Sequence, residues 1–148
     1  MVSDRRRLSV SRAACRRYEK TCHHRWRASS MNERDRTRLR DMLDAARKAI
    51  QFTQGRARAD LDRDDLLSFG LVRAVEIVGE AASRVSPETR AQYPHIPWKA
   101  IIGTRNKVIH DYISVDHDIL WDTVSVDLPE LIAQLEGILN PLENTGNE

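Results

Sequence analysis

Apolar residues return at intervals of three and four through most of residues 32–142, and nowhere do they alternate long enough to draw a strand. In RTRLRDMLDAARKAIQF the positions are Leu39, Met42, Leu43, Ala46, Ala49 and Ile50, one stripe along a helix. Gly55 is placed to stop that helix. A second helix is expected from about Asp64 to Val85, with Leu67, Leu71, Val75, Val78 and Ala82 on its inner face. Ser86-Pro87-Glu88 then reads as an N-cap, a proline at the first helical position and an early carboxylate. This third helix must be short, because Pro94 and Pro97 force an extended link. A fourth helix starts near Pro97 and carries Ile101, Ile102, Val108 and Ile109. Ser114 or Asp116 caps a fifth helical segment, through Ile119, Leu120, Val124, Leu128, Leu131, Leu135 and Ile138, which Pro129 kinks or divides. The fold class is all-α, an antiparallel bundle of four to five helices.

At 148 residues the chain is long enough for one domain with its own core. Its formal charge of +2 conceals two unlike segments. Residues 1–30 hold nine Lys and Arg against Asp4 and Glu19, whereas the rest holds fifteen against twenty acidic residues. The first segment shows no sustained apolar period and no secretory h-region. It is expected to be a disordered extension, or residues translated upstream of a start at Met31; a phosphate-binding arm is the alternative. The folded unit is expected over 31–143, with a disordered tail at 144–148. No run is apolar enough for a membrane span. Both cysteines, Cys15 and Cys22, lie in the basic segment, so the folded part has no disulfide framework and suits a reducing cytoplasm. With His23 and His24 they match no defensible zinc spacing. Asp60, Asp62 and Asp64 imitate the start of a calcium loop, but Asp65 and Leu71 stand where Gly and Glu are required. They are better read as caps of a helix N-terminus.

The chemistry-bearing residues gather in GTRNKVIHDY, residues 103–112. On a helix, Arg105, Ile109 and Tyr112 share one face, and Asn106 and His110 form its edge. Arg105 and His110 diverge by roughly 140°, so one helix offers a half-site and two copies meeting at an axis offer a whole one. Arginine matches phosphate oxygens and the extra charge of a phosphorane-like transition state. Histidine titrates near neutrality and can move a proton from a ribose 2′-hydroxyl or to a leaving oxygen. The same two residues in a last helical turn also serve simply to interact with the terminal carbonyls.

The motif resembles the R-x4-H-x-Y signature of HEPN-domain ribonucleases, and of the HepT-like toxins in particular. VEIVGEAASRVS, YPHIPWKAIIGTRNKVIHDY and VDHDILWDTVSVDLPELIAQLEGIL resemble that family's successive signatures in order, over about residues 32–142. Residues 1–30 lie outside the pattern. The resemblance implies a HEPN-like homodimer that cleaves RNA with no cofactor and no metal. It implies that Arg105 and His110 are catalytic and that Asn106 supports them. It further implies a partner, an MntA-type nucleotidyltransferase antitoxin, that silences the toxin by transferring AMP to Tyr112. AMP beside Arg105 would add negative charge and bulk where RNA phosphate binds. Gly79 and Glu80 also fit the pattern: Gly79 marks a close helix contact, and Glu80 either orients Arg105 or is a plain surface carboxylate. Trp98 and Trp121 read as core or interface anchors. A different reading of the same chain is a non-catalytic helical module that docks a nucleotidyltransferase or a nucleotide. The acidic balance of the folded part confines RNA contact to the cleft, unless the basic segment contributes.

Overall fold

The computed structural model describes residues 31–108 and 114–144, with side chains through Leu142. The expectations for residues 1–30, for Ile109, His110 and Tyr112, and for all of the tail 144–148 except Asn144, which closes the last helix, lie outside the described residues. The chain parts into two units, Met1–Asn32 and Glu33–Glu148, and the second holds the bundle.

Helix α1 spans Glu33–Thr53 and buries Leu39, Met42, Ala46 and Ala49, the stripe that the apolar period marks. It ends two residues before Gly55, whose φ of 70° is left-handed backbone that a side chain would strain. A 3-10 turn, Arg58–Asp62, is pinned by fully buried Leu61, and Asp60 accepts from the Ala57 N–H at 2.8 Å. Helix α2, Asp65–Ser83, starts at Asp64, whose carboxylate accepts from Leu67 N–H at 3.1 Å. Of the three aspartates, Asp64 caps a helix and Asp60 braces the turn. Asp62 caps nothing and pairs with Arg58 and His117 instead.

Ser86 caps the short α3, Pro87–Gln92, with Pro87 in its first turn. Ile96 and Trp98 bury the link that follows, and the Trp98 indole N–H donates to the Tyr93 carbonyl at 3.0 Å. Helix α4 runs Trp98–Val108. Asp116 then caps α5, His117–Asp122, accepting from Asp118 N–H and Ile119 N–H. A π-turn, Thr123–Asp127, joins α5 to α6, Leu128–Asn144. Pro129 has no N–H to give the preceding turn, and the chain absorbs the loss by widening there, with Leu128 N–H reaching back to Thr123 O. Counting α5, the π-turn and α6 as one divided rod, the described residues form five helices and no strand. Among them no helix is long and apolar enough to cross a membrane.

α1 packs on α2 and on α6, and α2 packs on α4. The ends of α1 fix its sense against α2. Phe52, at its C-terminal end, lies near Gly70 early in α2, while Asp35, at its N-terminal end, meets Ser86 just beyond α2. The two helices are therefore antiparallel. Leu39, Met42, Leu71, Leu120 and Leu135 fill the middle with no exposed surface.

Among the described residues Asp35 is the one buried acidic side chain, 3% exposed. Its carboxylate accepts from the Ser86 backbone N–H at 3.1 Å, from the Ser86 hydroxyl and from the Thr89 hydroxyl at 2.6 Å. These bonds offset the cost of burying the charge and clamp the start of α1 to the start of α3. Asp35→Ala should lower stability by about 3 kcal/mol, because three donors lose their acceptor away from water. Asp35→Asn should lose part of that, since an amide offers one accepting oxygen. Urea denaturation of the three proteins measures both effects; equal stability of parent and alanine variant would remove the clamp.

Candidate active site

Helix α4 comes close to α2 at Gly79. A methyl group on Gly79 would lie 3.2 Å from Arg105 Cβ and 3.6 Å from the Ile101 carbonyl oxygen. Glycine costs about 1 kcal/mol in a helix relative to alanine, and the contact it permits is the compensation. The next residue, Glu80, receives Arg105: Nη1 donates to Oε2 at 2.7 Å. The other carboxylate oxygen of Glu80 accepts from Arg84 Nε at 2.7 Å. One carboxylate thus holds two guanidinium groups, which remain substantially exposed, 43% for the Arg105 side chain and 59% for Arg84.

Both arginines line a groove of about 930 Å³ that runs between α1 and α2. Phe52 and Ile77 supply apolar wall, and Lys48 and Arg73 further positive charge. The cations are not equal. Arg38 faces Asp41 at 3.6 Å and Arg73 faces Glu76 at 3.4 Å, each a one-to-one pair. The Glu80 cluster has two cations for one anion.

Asn106 is exposed, one residue and about 100° round the helix from Arg105. His110 and Tyr112 fall outside the described residues, so the geometry joins Arg105 to Glu80 and Arg84 and leaves those two unplaced. The segment between α4 and α5 is nevertheless closed at its base. Asp116 N–H donates to Val108 O at 3.1 Å, and Val108 is buried. Trp98 lies in the core, and Trp121 is half-buried.

A second cluster escapes sequence reading. His117 Nδ1 lies 2.8 Å from Asp62 Oδ1, and its Nε2 lies 2.9 Å from Ser68 Oγ. The order carboxylate, imidazole, hydroxyl is that of a nucleophilic relay. Ser68, however, is only 8% exposed and sits in the early turns of α2, where a substrate cannot reach it. The chain of bonds instead fastens α5 to α2 and to the 3-10 turn. The residues are 49 and 55 positions apart, so no local spacing announces them.

A family model described as Ribonuclease HepT-like matches residues 42–138. The chain belongs to the HepT-like ribonuclease family. A Methanocaldococcus jannaschii protein with an RNase name is 32% identical over 105 residues, covering 71% of this chain and 87% of that one. A Caldanaerobacter subterraneus protein, also with an RNase name, is 36% identical over 101 residues, 68% of this chain and 90% of its own. A Thermococcus cleftensis protein named for ribonuclease HepT is 35% identical over 98 residues, 66% and 89% of the two chains. No solved structure matches the chain. The HepT-like match includes Glu80, Arg84 and Arg105 within its span.

The electrostatics of the cluster have a measurable consequence. Arg84 first, and then Arg105, hold the Glu80 carboxyl below its ordinary value of 4.5. A depressed carboxylate contributes stability that is present above the ordinary value and lost as pH falls through the folded one. His117, and then Arg58, depress Asp62 in the same way from 3.8. Glu80→Gln should therefore melt slightly below the parent at pH 7, with the gap closing as pH falls below about 4. Scanning fluorimetry across pH 3–7 measures this, with Asp62→Asn as the separate control; a gap that does not change with pH would deny the ion pair.

Proposed function

We propose that this chain is a metal-independent endoribonuclease, the toxin of a two-component pair, working as a homodimer on RNA held in a shared cleft. The observation that carries the reading is the Arg105 guanidinium anchored by Glu80 at a groove open to solvent, in a chain of the HepT-like family. RNA brings its own nucleophile. The ribose 2′-oxygen forms a bond to phosphorus while the bond from phosphorus to the 5′-oxygen breaks. The 2′-hydroxyl loses its proton to a base, and the leaving 5′-oxygen gains one. His110 moves those protons, since imidazole titrates near the working pH. Arg105 holds the non-bridging oxygens as their charge rises, and Asn106 supports the site. A spacing of five would set Arg105 and His110 roughly 140° apart if both lay on one helix, which is the reason for a site built from two copies.

The experiment is cleavage of a single-stranded RNA in EDTA. The parent should leave a 2′,3′-cyclic phosphate and a 5′-hydroxyl, while His110→Ala should lose at least about 100-fold in rate with an unchanged melt. Strict dependence on added metal, or full activity in the variant, would overturn the assignment.

The control point is Tyr112, and the partner is an MntA-type nucleotidyltransferase antitoxin that places AMP on its hydroxyl. Phenols, with a reference pKa of about 10, are poor bases at pH 7, so proton transfer falls to His110 and the hydroxyl is left for modification. AMP at that position repels and blocks the RNA phosphate that Arg105 would bind. Tyr112→Phe should retain most ribonuclease activity and escape silencing by a cognate nucleotidyltransferase with ATP and magnesium. Intact-mass spectrometry should show AMP additions on the parent and none on the variant; modification mapped elsewhere would remove Tyr112 from the role.

A further inference from the structure

We infer that Arg84 is a second phosphate-binding residue for RNA, acting beside Arg105 in a seat that Glu80 builds; this rests on the ribonuclease reading above. Glu80 uses one oxygen for each guanidinium and engages a single nitrogen of each, Nε of Arg84 and Nη1 of Arg105. A guanidinium carries five N–H donors in a planar fork. Four remain on each side of the cluster, and among the described residues no other acceptor engages either group. The carboxylate also fixes the spacing. Two hydrogen bonds and the width of one carboxylate put the two bound nitrogens no more than about 8 Å apart, close enough to serve one stretch of backbone phosphate.

Charge singles out the same place. Elsewhere in the groove Arg38 and Arg73 have a carboxylate each, and Lys48 stands four residues after Asp44 along the same lining. Within the groove lining, which carries five basic side chains against four acidic ones, two cations share one anion at Glu80, and there the positive surplus is anchored. It stands on a body whose residues 31–148 carry fifteen basic side chains against twenty acidic ones. A polyanion meeting that surface is attracted to this point and repelled from most others. Exposure completes the case: the Arg84 side chain keeps 59% of its surface, so a phosphate reaches it without any rearrangement of the core. An ion pair four residues along one helix contributes little to stability when so exposed, which leaves binding as the role that uses the fork.

The test measures binding and turnover together, in EDTA, on the full-length protein with a labelled single-stranded RNA. Arg84→Ala should raise both Kd and KM by about tenfold, with kcat within about twofold. It should also make the slope of log K against log salt shallower by about 0.7, the loss of one phosphate contact on a single strand. Arg84→Lys should restore the slope, because it restores the charge, and only part of the affinity, because it lacks the fork. An unchanged melt across the series separates this from a structural role. If the parent binds and cuts RNA while Arg84→Ala matches it in Kd and salt slope, the inference falls and the ribonuclease reading stands. If the parent neither binds nor cuts RNA, the ribonuclease reading falls and this inference with it.

Discussion

The crossing of α2 and α4 at Gly79 sets everything that the groove can do. Helices with ordinary side chains at a contact stand 8–10 Å apart, and a glycine lets one side of the pair close in. Here a methyl would crowd Arg105 Cβ at 3.2 Å and come into contact with the Ile101 carbonyl oxygen at 3.6 Å. Because the approach is made by backbone and Cβ atoms, Arg105 begins its reach from a fixed origin. Glu80, one residue on from the contact, then receives its guanidinium within hydrogen-bonding distance. A functional side chain built on two packed helices is held more closely than one on a loop. The glycine and the carboxylate are one device, spacing followed by orientation.

Two carboxylates, Asp35 and Glu80, illustrate how burial decides what an acidic group is for. Asp35 is enclosed and satisfied by a backbone N–H and two hydroxyls, so its bonds are strong and its removal is costly. It serves the fold. Glu80 is half-exposed and faces two arginines that solvent also reaches, so its bonds contribute little stability. It lines the groove. The Asp62–His117–Ser68 chain stands with Asp35, since Ser68 is buried whatever its likeness to a relay. Together with the Asp116-to-Val108 bond it secures the two helices on either side of the segment that carries His110 and Tyr112.

How much was legible can be judged from individual elements. The α1 and α2 stripes, the Asp64, Ser86 and Asp116 caps, the stop at Gly55 and the division at Pro129 were all readable, because each is decided within about one helical turn. The all-α architecture of four to five helices followed from them. Gly79 as a close contact was readable too, since an internal helical glycine calls for a compensating approach. Asp35 was not, because an acidic residue in a first helical turn is ordinarily a solvated partner of the dipole. Arg84 had one local signal, its place four residues after Glu80, which reads as a routine surface pair until Arg105 arrives on the same carboxylate.

By itself, the sequence determined where helices begin and end, which stripe of each is buried, and that Arg105, Asn106, His110 and Tyr112 fall in one stretch. Those properties depend on spacing along the chain, and spacing is fully written in the order of residues. The tertiary structure alone decided that Asp35 meets Ser86 and Thr89, that Ser68 and Asp62 meet His117, and that Arg84 and Arg105 share Glu80. The first two join residues about fifty positions apart, and Arg105 stands twenty-five beyond Glu80. Contacts of that length are fixed by the angle and distance at which helices cross, which the whole core sets at once.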